Sequence, residues 1–418
     1  MHNAPDQLRR LFDAAVAACH PARVIPSALP ARPTGRIVVV GAGKASAAMA
    51  AAVEAAWGPP LSGLVVTRYG HGAPTKFIDV VEAGHPLPDN AGVDAAKRAL
   101  ELVSSLTADD VVLALLSGGG SALWSAPLPP LTLSEKQAMT RALVLSGASI
   151  REINCVRKHV SAIKGGRLVA AAYPARVLAL AISDVAGDDP SVIASGPCVG
   201  DETTQRDALA ILANYAIDIP ANAMRVLTAL ECESVKPGDA RLSSSICRVV
   251  ARAGDALAAA ADEAHAMGWE TKIVGVNLKG GAREVARAHA EIALHAARLR
   301  KPLVLLSGGE LTLQVMGSGS GGPNREYMLA LLQELDGAPN IWALAADTDG
   351  IDGSDDTAGA WICPETLSQA RRLGLNPKSF AASNDSGGFF AKLDQTVVTG
   401  PTRTNVNDFR AILIAADV

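Results

Sequence analysis

Two distant stretches run from a short apolar segment straight into Ser-Gly-Gly. In LLSGGGSALWSAP, Ser117, Gly118, Gly119, Gly120 and Ser121 follow Leu116; in LLSGGELTL, Ser307, Gly308, Gly309 and Glu310 follow Leu306. Glycines after a strand let backbone N–H groups approach an anion, and a helix that begins there adds its N-terminal partial positive charge. Phosphate or carboxylate oxygens are therefore the expected guests of both turns. A third glycine turn, VVVGAGKASAAMA, sets Lys44 at a helix start, where its charge opposes the helix dipole unless an anion lies nearby. That turn makes a poor dinucleotide site, because Ser46 replaces the third glycine and the next strand ends in Thr67-Arg68, with no acid to hold a ribose. The Walker A pattern is not met either.

Charged residues gather near these turns in the sequence. The segment REINCVRKHVSAIKGGRL carries Arg157, Lys158, His159, Lys164 and Arg167 and closes on Gly165-Gly166. Such density can cradle a phosphate or a substrate carboxylate, or can be a solvated helix face. Carboxylates follow two apolar runs: Asp184, Asp188 and Asp189 in ISDVAGDDP, and Asp347, Asp349, Asp352, Asp355 and Asp356 in AADTDGIDGSDD. The second run lacks the EF-hand spacing to a terminal Glu, but it suits Mg²⁺ shared with phosphate oxygens, or a base that takes a hydroxyl proton. Cations, glycine turns and carboxylates together are what phosphoryl transfer requires, since that reaction is catalysed mainly by positioning and charge stabilisation. These spacings leave the acceptor open.

The elements that must position these residues are legible as alternation. RIVVV, GLVVT, VVLALL and VLALAIS are continuous apolar strands between alanine-rich helices, the pattern of a mainly parallel sheet covered on both faces. A Rossmann-like α/β domain is expected over residues 1–240, ending in the polar stretch ECESVKPGDARLSSS. A second α/β domain is expected over 241–418. Its strands are ICRVVA, ETKIVGV, PLVLLS, IWALAAD and QTVVTG, its helices start near Ala253 and Ala282, and its short late gaps leave room for antiparallel pairing. One glycine turn per domain implies a site in the cleft between them.

Composition narrows the partners. The chain has 418 residues, 49% hydrophobic, with a formal net charge of -4 and no Lys/Arg run, which argues for small solutes and against nucleic acid. Six scattered cysteines without Cys-x-x-Cys spacing suggest buried thiols in the cytoplasm rather than a disulfide framework or a zinc site. No stretch approaches 18 uninterrupted apolar residues, so no membrane span is expected, and QLRRLFDAAVAACH reads as an ordinary helix.

The ordered set VVGAGKASAAMA, LLSGGGSAL, INCVRKHVSAIKGGRL, ISDVAGDDPSVIASGP, LLSGGELTL, GSGGPNREYMLAL, ADTDGIDG and VVTGPTRTNVNDF closely resembles the class II glycerate 2-kinases, whose C-terminal part is the MOFRL domain. Some members carry the label hydroxypyruvate reductase. The resemblance implies two α/β domains with the site between them, and ATP- and Mg²⁺-dependent transfer of the γ-phosphate to the 2-hydroxyl of D-glycerate. It places the essential lysine at Lys44, phosphate turns at Ser117 to Ser121 and Ser307 to Glu310, and the Lys-Gly-Gly-Arg element at Lys164 to Arg167. Where the family commonly reads Gly-Gly-Arg-Asn-Gln-Glu, this chain has Pro323 at the arginine position and Arg325 two places later, after Asn324. Two helical positions turn a side chain through about 200°. The expected arrangement has Lys44 and Arg325 neutralising the transferred phosphoryl group, with Asn324, Arg157, Lys158 and Lys164 binding substrate or phosphate. Mg²⁺ is held through Glu310, Asp347 or Asp349, and Asp184 or Asp188 orients the acceptor hydroxyl. A reductase or a non-catalytic sugar-acid or nucleotide binder is the alternative, and a monomer or a homodimer stays open.

Overall fold

A computed structural model describes residues 3–300, 302–353 and 355–416. The chain forms two compact units, Pro21–Val250 and Met1–His20 with Ala251–Val418. The first helix, Ala4–Ala18, thus belongs with the C-terminal residues and not with the residues that follow it, as a single cut near 240 had assigned it. The reason is its apolar stripe: Leu8, Leu11, Phe12 and Ala15 are buried, and Phe12 packs edge-on against Phe409 with ring centroids 5.8 Å apart. Each such large side chain contributes roughly 1.5–3 kcal/mol on burial.

In the Pro21–Val250 unit, β1 (Ile37–Ala42), β2 (Ser62–Arg68), β3 (Ile78–Ala83), β4 (Val111–Leu116), β5 (Arg176–Ile182) and β6 (Ser245–Ala251) form one sheet in the order β3-β2-β1-β4-β5-β6. From β3 through β5 each strand pairs in parallel with its neighbour. Every residue of β1 and β4 is buried, as continuous apolar runs in a sheet covered on both faces must be. A separate helical core gathers Leu131, Met139, Leu143, Ile153, Val156 and Leu212. Two of its helices, Leu133–Leu145 and Ile150–His159, begin at capping boxes, Thr132 with Glu135 and Ser149 with Glu152, which fix where each helix starts.

The other unit holds a mixed sheet of β7 (Glu270–Leu278), β8 (Leu303–Gly309), β9 (Ile341–Asp347), β10 (Gly359–Ile362), β11 (Thr396–Val397) and β12 (Asp408–Ile414), in the order β11-β10-β9-β12-β8-β7. Among the described residues only β7 and β8 pair in parallel; β12 lies antiparallel between β8 and β9. The α/β class of both units, parallel in one and mixed in the other, agrees with the sequence reading. No described helix is long and apolar enough to cross a membrane.

Candidate functional site

The order of the first sheet reverses direction between β1 and β4, and ligands of such sheets bind past the carboxyl ends of the strands at that switch point. Two sequence-selected turns meet there. The turn after β1 is bonded to its neighbours: Gly43 N–H donates to Val66 O (3.1 Å), Lys44 N–H to Gly118 O (2.8 Å), Ala45 N–H to Ser117 Oγ (2.9 Å) and Ser46 N–H to Gly43 O (3.1 Å). With these four donors engaged, the turn offers no cradle for a dinucleotide pyrophosphate.

The turn after β4 is different. The chain leaves the sheet at Ser117 and enters a short helix at Gly120, and among the described residues the N–H groups of Gly118 and Gly119 meet no acceptor. Gly119 has φ +81°, and a Cβ there would lie 2.9 Å from His85 Cδ2 and 3.4 Å from Lys44 Cγ. The missing side chain therefore lets the Lys44 stem and the His85 ring close over two uncommitted donors. Ser121 Oγ is bonded to Ser195 Oγ (2.7 Å), which donates to Asn154 Oδ1 (3.1 Å).

The basic segment separates into two kinds of cation. Lys158 is buried against Asp201 at 3.2 Å, and Arg167 donates to Lys158 O, so both hold the fold rather than a ligand. Gly165 and Gly166 are likewise spent internally, their N–H groups donating to Ser195 O and Gly196 O. Expecting phosphate at Lys158 and at this glycine pair is thus corrected: both have protein partners. Arg157 and Lys164, by contrast, line a cavity of about 290 Å³ beside Ser121. The sequence reading missed two neighbours, His85 and Lys136. The signal for Lys136 was present, because Lys136, Met139 and Leu143 share the buried stripe of one helix, an i, i+3, i+7 spacing that seats a lysine where an apolar residue belongs. Asp184 and Asp188 lie partly exposed in the loop after β5, Asp188 at φ 54°.

The second Ser-Gly-Gly does not repeat the first. Ser307, Gly308 and Gly309 lie inside β8, paired with Arg410, Phe409 and Asp408 of β12 on one side and with β7 on the other. A Cβ on Gly309, φ +113°, would stand 2.2 Å from Leu278 N, so this glycine exists to admit β7. The expected phosphate turn at Ser307–Gly309 is corrected to a sheet interior. Arg325 is corrected as well. It is 1% exposed, with Nε 3.1 Å from Asp352 Oδ2 and Nη1 2.8 Å from Asp355 Oδ2, and so clamps the acidic loop. Burial pushes Asp352 up to about 6 despite that guanidinium. Asn324 donates to Asp352 Oδ1 and Asp408 Oδ1 (2.6 Å) and is equally internal.

Asp347 closes β9, and its Oδ1 accepts from Asp349 N–H (2.9 Å); Asp349 is buried and Glu310 exposed. No three His, Cys, Asp or Glu side chains among the described residues gather as a metal cage. Two carboxylates in one tight turn do fit Mg²⁺, which takes one or two protein ligands and fills its octahedron from water and phosphates.

Comparison with known proteins agrees with this geometry. Residues 7–228 match a domain of unknown function, DUF4147, and residues 303–408 match the MOFRL family. A D-glycerate 2-kinase of Thermotoga maritima is 37% identical over 97% of this chain and 98% of its own. The crystal structure of a glycerate kinase from the same organism superposes with a TM-score of 0.91 at 36% identity, covering 99% of this chain and all of that one. A protein of Agrobacterium vitis, provisionally named a hydroxypyruvate reductase, is 51% identical over 99% of this chain and 95% of its own. Matched from end to end in sequence and in fold, the chain belongs to the glycerate kinase family that carries the MOFRL domain.

Proposed function

We propose that this protein is a D-glycerate 2-kinase. The observation that carries the reading is the pair of uncommitted N–H groups at Gly118 and Gly119 with Lys44 packed across them at the switch point. Two N–H donors beside a lysine are groups that stabilise the charge that spreads over a phosphoryl group in transfer. The 2-hydroxyl oxygen of glycerate forms a bond to the γ-phosphorus of ATP, the bond from that phosphorus to the β,γ-bridging oxygen breaks, and ADP leaves. The hydroxyl proton passes to a carboxylate, for which Asp184 and Asp188 are the candidates. Asp347 and Asp349, with Glu310, are the residues that would hold Mg²⁺, which when bound supplies charge neutralisation on the nucleotide phosphates. The cytoplasm is the fitting compartment for an ATP-dependent enzyme of this kind.

The reductase name of the Agrobacterium relative would require a dinucleotide at the β1 turn, where the N–H groups are engaged and the end of β2 carries no acid. The test is incubation with ATP, Mg²⁺ and D-glycerate, followed by enolase. Direct conversion by enolase identifies 2-phosphoglycerate. Conversion only after a phosphoglycerate mutase is added would move the reaction to the 3-hydroxyl, and NADH consumption with hydroxypyruvate in place of any phosphoglycerate would overturn the kinase reading.

A further inference from the structure

The cavity beside the glycine turn has an unusual wall. Ser121, Ser125, Lys136, Arg157 and Lys164 converge on it, and the exposed apolar side chains of Leu87, Val144 and Leu145 form its rim. Lys136 is 4% exposed and Lys164 1%. Each ammonium has one long protein contact, Lys136 Nζ to Ser125 O at 3.4 Å and Lys164 Nζ to Ala194 O at 3.3 Å. An ammonium carries three donors, so two on each lysine are left over. Among the described residues none of the three cations forms an ion pair. Lys158 gives the contrast: it comes from the same basic segment and is comparably buried, but it has Asp201.

Burial drives the Lys136 ammonium down to about 7, with Arg157 and Arg167 adding repulsion. Lys164 is held well below its ordinary value by burial and then by Lys136 and Arg157, and burial also lowers Arg157. Uncompensated cations in a protein interior are costly, and an anion that neutralises them recovers that cost as binding energy.

We infer that Lys136, with Arg157 and Lys164, forms the subsite that holds the carboxylate of the acceptor acid, so that Lys136 is a substrate-binding residue. This rests on the kinase reading. The cavity's size suits the acceptor acid: about 290 Å³ is at or below the lower end of sites for drug-sized ligands and is enough for a small hydroxy acid. Its position agrees, since Ser121 belongs both to the cavity wall and to the helix that opens from the glycine turn. In a 2-hydroxy acid the reacting oxygen sits one carbon from the carboxylate. Anchoring the carboxylate among the three cations therefore fixes the hydroxyl near the turn that receives the phosphoryl group.

The test is Lys136→Met, assayed with D-glycerate and ATP varied separately. KM for D-glycerate should rise about 10- to 100-fold, the loss expected for charge-assisted hydrogen bonds, while KM for ATP stays within about twofold. A rise confined to the ATP constant would assign the cavity to nucleotide phosphates and overturn the inference, as would two unchanged constants. A readout independent of turnover is thermal unfolding without ATP. D-glycerate should raise the midpoint of the wild-type protein, glycerol at the same concentration should not, and Lys136→Met should lose the response. No glycerate-induced shift in the wild type would overturn the subsite whether or not the kinase assay succeeds. A shift with no phosphoglycerate formed would sink the kinase reading and leave a carboxylate-binding cavity standing.

Discussion

The two Ser-Gly-Gly segments share residue types and an apolar approach but do opposite things. After Leu116 the chain leaves the sheet at once, so Gly118 and Gly119 keep their N–H groups for a guest and Lys44 closes over them. After Leu306 the chain stays in the sheet for three more residues, between β12 and β7, and the absent Cβ of Gly309 serves to bring Leu278 close. Charge follows the same division. Among the described residues Lys136, Arg157 and Lys164 in the cavity beside the first segment form no ion pair, whereas near the second Arg325 is committed to Asp352 and Asp355, and Arg410 to Asp408. On the proposed reading, a glycine turn serves as an anion site when the strand ends at it, and as a packing device when the strand runs through it.

Lys44→Ala offers the sharpest way to break that comparison. It should lower kcat about 10³-fold, or about 4 kcal/mol of transition-state stabilisation, with the midpoint of thermal unfolding almost unchanged. Activity near wild type would remove the first turn from the chemistry. In the other unit Arg325→Met should act the opposite way, costing about 3 kcal/mol in urea unfolding because it leaves Asp352 buried without its partner. Unchanged stability with kcat down by orders of magnitude would mean that Arg325 leaves its clamp to act on substrate.

The glycines themselves permit a narrower test. Gly119→Ala puts a Cβ against His85 and Lys44 at a left-handed φ and should reduce kcat/KM about 30- to 100-fold, roughly 2–3 kcal/mol, chiefly by displacing Lys44. Gly309→Ala should instead lower unfolding stability by about 2 kcal/mol while sparing kcat/KM in the folded fraction. If both variants lose activity at equal stability, the distinction between the segments fails.

The same contrast marks what the sequence could convey. Strand and helix alternation was legible because β1, β4 and β5 are apolar runs of the length a covered strand requires, and Lys44 and the Ser117 turn were legible because they sit at strand ends. The central strand β12, absent from that reading, begins Asp-Phe-Arg, and two charges in a buried strand hide it. Asp408 is held there by Asn324 and Leu311 N–H, and Arg410 lies 5.3 Å from the Tyr327 ring centroid, contacts made across 80 or more residues. Partner identity was equally invisible: Lys158 and Lys164 look alike in INCVRKHVSAIKGGRL, and only the fold shows that one meets Asp201 and the other an open cavity.

The last effect expected is on stability against pH, and it follows from Lys136. In the folded protein without ligand its ammonium loses its proton near 7, because of burial first and then the charges of Arg157 and Arg167; Lys164, also lowered, faces the same cavity. The unfolded chain keeps the Lys136 proton up to the ordinary value of 10.5. Between those values the unfolded state binds the extra proton, so stability rises with pH, by about 2 kcal/mol from pH 7 to pH 9 for this group. Below 7 both states carry the proton and the burial cost is felt in full. Urea unfolding at a series of pH values should show this rise in the wild type and a flatter profile in Lys136→Met, which should also be the more stable protein at pH 7. Saturating D-glycerate should flatten the wild-type slope too, because a bound carboxylate keeps the ammonium charged in the folded state. An identical slope in wild type and variant would mean that Lys136 is neutralised by something other than a ligand, and the contrast between the cavity cations and the paired arginines near the second segment would lose its strongest support.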